Sequence, residues 1–182
     1  DNNIRYPRNL PLGQALIVLI PETVYTIRVG DTLNSVARRF QTTVAELLQN
    51  NPFLTAGNFL RPGQEIVIKF QGEKLREVVV NGYAYPYIQR SLLRSTLPFL
   101  TYLTIFGYGF MEDGSLITID DQWMINLAYQ YQTAPVMLLS SITEEGNFND
   151  VRTRQLLQDT ALQETVLNNV TELMIEQGYL GL

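Results

Sequence analysis

The stretch from Val24 to Ile68, VYTIRVGDTLNSVARRFQTTVAELLQNNPFLTAGNFLRPGQEIVI, constrains the fold more than any other part of the chain. Leu33, Val36, Ala37 and Phe40 repeat at the spacing of one buried helical face, and Asp31 stands where a side-chain oxygen can cap that helix. Thr43 and Glu46 form a capping box for a second helix that buries Val44, Leu47 and Leu48. Asn50, Asn51 and Pro52 stop it, because proline lacks the N–H that would continue a helix and disfavours helical geometry just before itself. Tyr25-Thr26-Ile27 and Ile66-Val67-Ile68 read as flanking strands, with Pro62-Gly63 turning the chain into the second. The order is strand, helix, helix, strand.

With its opening YTIRVGDTL, its central NNP and its closing LRPGQEIVI, this stretch resembles a lysin motif (LysM) domain, an α+β fold of βααβ order. The resemblance implies binding to N-acetylglucosamine glycans, peptidoglycan or chitin. It places the glycan site in two loops, which map here onto Gly30, Asp31, Thr32 and Leu33, and onto Asn51, Pro52, Phe53 and Leu54. Helix capping explains Asp31 and Thr32 equally well. Residues 22–70 are the expected extent of this domain. Leu10 to Val18 aligns with Leu60 to Ile68 fifty residues on, the Gly-Gln pair in register and an apolar strand after it in both. A period of that order marks a repeated module. Residues 1–20 are therefore expected to be the tail of a preceding LysM repeat, with Pro21-Glu22-Thr23 as a short linker.

Composition removes several functions at once. The 182 residues include no histidine and no cysteine, so Ser-His-Asp and Cys-His catalysis, disulfides and most zinc sites are excluded. Neither a cofactor nor a metal is implied. A net charge of −5 argues against nucleic acid as a partner, since phosphate binding needs a basic surface. The longest apolar run, Ala15 to Pro21, is too short for a membrane span.

After a polar linker at Gln71 to Lys74 the pattern changes. Val78-Val79-Val80, Phe99 to Phe106, Val136 to Leu139 and the residues from Tyr179 onward read as apolar strands. Helical segments near Ser91 to Thr96, Asp121 to Tyr131 and Asp150 to Gln177 separate them, with Gly178 closing the last. Apolar strands alternating with helices imply a parallel sheet, either doubly wound or a (β/α)8 barrel. The segments VVVNGYAYP, FLTYLTIFGYGFMEDGSL, APVMLLSS followed by FND, and EQGYLGL resemble the first half of a glycoside hydrolase family 18 barrel, of the spore-associated kind that carries N-terminal LysM repeats. Residues 77–182 are thus expected to be an incomplete TIM barrel. Val78–Val80, Leu103, Ile105, Met137 and Leu139 would point to its interior.

That resemblance implies a single general acid, the glutamate of a DxxDxDxE pattern on the fourth strand, working with the substrate's own acetamido group. The chain stops where the pattern should begin, so no catalytic residue is assigned and the chain is expected to be inactive alone. LLSS also stands where chitinases of the family carry a Ser-x-Gly-Gly turn. Tyr83, Phe106 and Tyr108, at strand C-terminal ends, are expected to face the glycan. The adjacent pairs Asp120-Asp121 and Glu144-Glu145 read as solvated loop and helix-start charges, and Trp123 as core. The sequence therefore suggests part of an exported bacterial hydrolase of the cell wall or spore cortex, cleaving β-1,4 bonds at N-acetylglucosamine. The alternative is a non-catalytic, lectin-like wall anchor.

Overall fold

A computed structural model describes residues 18–54, 60–72 and 76–182. The suggested repeat at 1–20 lies outside them except for Val18, Leu19 and Ile20, as do Glu73 and Lys74 of the linker.

The first unit begins with strand β1 (Pro21–Thr26), so Pro21 to Thr23 are the start of a strand and not a linker. They are drawn into it because β1 pairs antiparallel with β2 (Glu65–Phe70), Pro21 opposite Phe70, with a register shift on either side of Thr23. Between the strands lie helices α1 (Leu33–Phe40) and α2 (Val44–Asn50) and a 3-10 turn at Pro52–Leu54. Thr43 and Glu46 close their capping box as expected. On α1 the cap is Thr32, not Asp31. The helix starts at Leu33, and only the residue directly before it can reach the N–H two or three positions on. Val36, Leu47, Leu48, Leu54, Ile66 and Ile68 form the core. Each such buried aliphatic side chain contributes roughly 1.5–3 kcal/mol.

The second unit is a singly wound sheet. Strand β4 (Tyr102–Phe110) lies in the middle, parallel to β3 (Asn81–Ala84) on one side and to β6 (Ala134–Leu139) on the other. Gly181 continues the order as a parallel bridge to Val136. A two-residue strand β5 (Leu116–Ile117) pairs antiparallel with the end of β4, which makes the sheet mixed. Helices α3 (Arg90–Thr96), α4 (Gln122–Gln130), α5 (Asp150–Gln158) and α6 (Thr160–Gln177) fill the connections, and Gly178 caps α6 in the left-handed conformation. No described helix is long and apolar enough to cross a membrane.

Two expectations change here. Val78, Val79 and Val80 are exposed, and the strand begins after them. Pairing with β4 starts at Asn81 opposite Tyr102, and β-branched residues form a strand only where a partner strand accepts their hydrogen bonds. Leu103, Ile105 and Met137 are buried in one cluster with Met124 and Ile125 of α4 and Val166 and Val170 of α6. They face the helices, so the barrel-interior orientation expected for them is reversed. The two units touch where the Gln49 side-chain amide donates to the Pro98 carbonyl, and Tyr131 packs against both cores.

Candidate functional site

The loop between β1 and α1 is held from within. Gly30 takes φ +86°, a conformation glycine adopts without steric cost. The Asp31 carboxylate turns back into the protein, accepting the Arg28 N–H at 2.8 Å and the Tyr25 hydroxyl at 2.7 Å. Arg39 completes the cluster, 3.7 Å from Asp31 with its guanidinium 5.3 Å from the centre of the Tyr25 ring. Hydrogen bonds from Arg28 and Tyr25 hold the Asp31 carboxyl below the ordinary carboxylate range. Exposed Thr32 is engaged through its backbone N–H, which donates to Ser35 Oγ at 2.9 Å, and through Oγ1, which accepts the Ser35 N–H at 3.1 Å. Leu33 packs half-buried against the core.

The second loop divides in the same way. Asn51 is 1% exposed, and its amide donates to the Leu47 carbonyl at 2.8 Å and the Val67 carbonyl at 2.7 Å. Its Oδ1 accepts the Val67 N–H at 2.8 Å. Leu54 lies in the core. Pro52 and Phe53 reach the surface, Phe53 with 46% of its area exposed. Asn51 and Leu54 are therefore removed from the set able to touch a ligand, since every polar atom of the Asn51 side chain is spent on the backbone it ties together.

A cleft of about 630 Å³ opens in the second unit. Tyr85 and Tyr87 reach it from just past β3, Phe106 from β4, Asp120 and Trp123 from the start of α4, and Ile142 from the loop after β6. Tyr85 stacks on Tyr87 at 5.1 Å and meets Phe106 edge-on at 4.7 Å, and Arg90 lies 4.8 Å from the centre of the Trp123 ring. Large aromatic area beside few polar groups suits a ligand with apolar faces and polar edges. Of the three residues expected here, only Phe106 lines the cleft. Tyr83 is 69% exposed but outside it, and Tyr108 is 1% exposed in the core.

The fate of Tyr108 has a local cause. Strict alternation would put Phe106 and Tyr108 on one face, but β4 carries a bulge: Phe106 pairs with Leu138 and Tyr108 with the very next residue, Leu139. Gly107 is the extra residue, and a bulge re-aims the side chains beyond it. Tyr108 then donates to Asp121 at 2.9 Å, and Tyr179 donates to the same carboxylate oxygen. Asp121 is itself 1% exposed, so it is not a solvated helix-start charge. Burial raises its pKa above the ordinary value, and burial raises those of Tyr108 and Tyr179 also.

Against known proteins, the family model described as LysM domain matches residues 25–69. That stretch is a LysM domain. Beyond it, the chain is 27% identical over 178 residues to YdhD of Bacillus subtilis, named as a candidate sporulation-specific glycosylase, which covers 95% of this chain and 41% of YdhD. It is 33% identical over 95 residues to a cortical fragment-lytic enzyme of Bacillus cereus, covering 50% of this chain and 22% of that protein. The crystal structure of the Bacillus megaterium spore cortex-lytic enzyme SleL superposes with a TM-score of 0.56 at 26% identity, covering 89% of this chain and 38% of that one. The chain thus spans less than half the length of these relatives. The similarity to YdhD and SleL takes in the LysM domain and the sheet that follows it, in the same order along the chain.

Sequence reasoning missed Tyr87 and Asp120 as cleft residues and took Trp123 for core alone, although its ring both packs on the core and lines the cleft. For Tyr87 the available signal was the alternating run of aromatic residues Tyr83, Tyr85 and Tyr87, which starts in β3 and continues past its end. In the LysM domain, Gly30, Thr32, Pro52 and Phe53 stay at the surface, while Asp31 organises the loop from behind.

Proposed function

We propose that the LysM domain attaches this chain to N-acetylglucosamine glycans of the bacterial cell wall, and that residues 77–182 are the opening half of a family 18 barrel. On this reading the parent protein is a spore-cortex or cell-wall glycosidase that cleaves β-1,4 bonds at N-acetylglucosamine. The observation that carries the proposal is the joint similarity to SleL across the LysM domain and the following sheet, 89% of the chain in one superposition. Two features support it further. The strands follow one another side by side in chain order, with core-forming helices on one face, as in a barrel rather than in a doubly wound sheet whose order reverses. The aromatic cleft also lies towards the C-terminal ends of the strands, where barrels of this type place their sites. Thr32 and Phe53 are the residues through which the LysM domain would touch glycan, while Phe106, Tyr85 and Trp123 would meet sugar in the cleft.

The test is retention of the whole chain on insoluble peptidoglycan, with titration by N-acetylglucosamine oligomers. A single shallow site predicts a Kd of about 10 μM to 1 mM. Thr32→Ser with Phe53→Ala keeps the cap oxygen of α1, so its effect on binding is separable from folding. It should weaken retention at least about tenfold, roughly 1.4 kcal/mol. Unchanged retention by the folded variant would overturn the site assignment. No DxxDxDxE pattern occurs in this chain, so hydrolysis of chitooligosaccharides by it alone would overturn the catalytic part.

A further inference from the structure

A second cavity, about 540 Å³, is lined by the LysM unit and by Gln71 and Gly72 directly after it, and none of the eight loop residues considered above lines it. Its size is ordinary for a small-molecule site. Phe40 and Phe70 supply apolar surface, and Gln41, Thr42, Asn50 and Gln71 supply amides and a hydroxyl. The charges nearby are already engaged. Glu46 accepts the Thr42 hydroxyl at 2.5 Å, and Lys69 is bonded to Glu22 at 2.9 Å. What remains for a ligand is neutral: the Asn50 carbonyl oxygen, whose amide nitrogen is spent on the Ile68 carbonyl, and the side chains of Gln41 and Gln71, which have no hydrogen bond among the described residues. An amide offers both donors and an acceptor, so two such groups beside aromatic rings match a ring compound with an apolar face and a rim of hydroxyl and acetamido groups.

Gln41 adds an independent sign. It caps α1 at φ 53°, ψ 40°, a left-handed conformation usually given to glycine. Holding glutamine there is strained, and it keeps in the cavity wall a side chain that glycine would lack.

We propose that this cavity is a second saccharide site of the LysM domain, taking one neutral N-acetylhexosamine unit; the inference rests on the glycan-binding reading above. Charged stem peptide is the poorer fit, because no uncommitted cation or carboxylate lines the cavity among the described residues. Two sites on one small domain would let a long glycan bind twice, the second contact being intramolecular.

The experiment is an amide-shift titration of the isotopically labelled whole chain with N-acetylglucosamine tetramer, beside Gln41→Gly with Gln71→Ala. The glycine substitution relieves the left-handed strain while deleting the side chain, so loss of binding in the variant cannot be put down to lost stability. The expected result is two sets of shifts, one at Gly30–Leu33 and Phe53, the other at Gln41–Thr42 and Phe70–Gly72. The variant should lose the second set alone and hold long glycan at least about fivefold more weakly. Shifts confined to the first set would overturn this inference and leave the loop site standing. Shifts confined to the second would support it and overturn the loop site. Second-set shifts produced by stem peptide rather than by the tetramer would overturn the saccharide assignment.

Discussion

Replacing Asn51 by alanine separates a structural from a ligand-binding role. The side chain makes three hydrogen bonds to backbone groups of Leu47 and Val67, and it joins the end of α2 to β2. At a net 0.5–1.5 kcal/mol each, their loss costs about 3 kcal/mol. The 45 residues of the matched LysM domain, at roughly 0.05–0.15 kcal/mol per residue, have about 2–7 kcal/mol of stability in all. The variant should therefore bring the domain close to its unfolding midpoint, with Tm lower by at least about 12 °C. Amide hydrogen exchange on the whole chain reads this directly. Protection at Leu47, Ile66 and Ile68 should fall by about two orders of magnitude, while Leu103 and Ile105 in the other core keep theirs. Glycan retention should persist in the fraction that stays folded. Full protection in Asn51→Ala together with lost retention would refute the reasoning and return Asn51 to the glycan surface.

Two carboxylates should respond to pH in opposite directions. Asp31 has a folded pKa held below its unfolded value of about 3.9, so its contribution is complete above that pH and is lost as pH falls through the folded value. Asp31→Asn should flatten the acid limb of the LysM unfolding curve below about pH 4, and an unchanged limb would contradict this. Asp121 has its folded pKa raised by burial, so the folded state holds its proton more tightly and stability declines as pH rises from about 4 through the folded value. Asp121→Asn keeps an oxygen to accept both tyrosine hydroxyls, and it should remove that decline in denaturant titrations of the second unit. Gly109→Ala should destabilise the same unit by about 1–3 kcal/mol, because the new Cβ would stand 2.3 Å from the Ile142 carbonyl oxygen, a backbone atom with little room to move. A variant as stable as the parent in urea would show that the Ile142 loop yields.

Elements whose signals are local could be read from the residues alone. Thr43 and Glu46, Pro52, Gly63 and Gly178 set the bounds of α2, the turn into β2 and the end of α6, because caps and stops act within a few residues of the chain. The order of strands and helices was legible for the same reason, apart from the short antiparallel strand β5, and so was the LysM resemblance, whose motifs lie in those turns. Whatever depends on a distant partner was settled only by the folded arrangement. Asp31 and Thr32 are adjacent and of equal capping type, but α1 starts at Leu33, so Thr32 caps it while Arg28, Tyr25 and Arg39 hold Asp31. Asn51 is buried because Val67 of the paired strand needs its amide. Val78 and Val79 have the residues of a strand but no paired neighbour among the described residues, while Val80 already accepts the Tyr102 N–H, so the ladder with β4 begins only at the end of the valine run. The bulge at Gly107 shifts the side-chain alternation by one, so Phe106 turns to the cleft while Tyr108 turns into the core to meet Asp121 and Tyr179. A one-residue change of register reverses every side chain beyond it, and only the pairing of β4 with β6 fixes where that reversal falls.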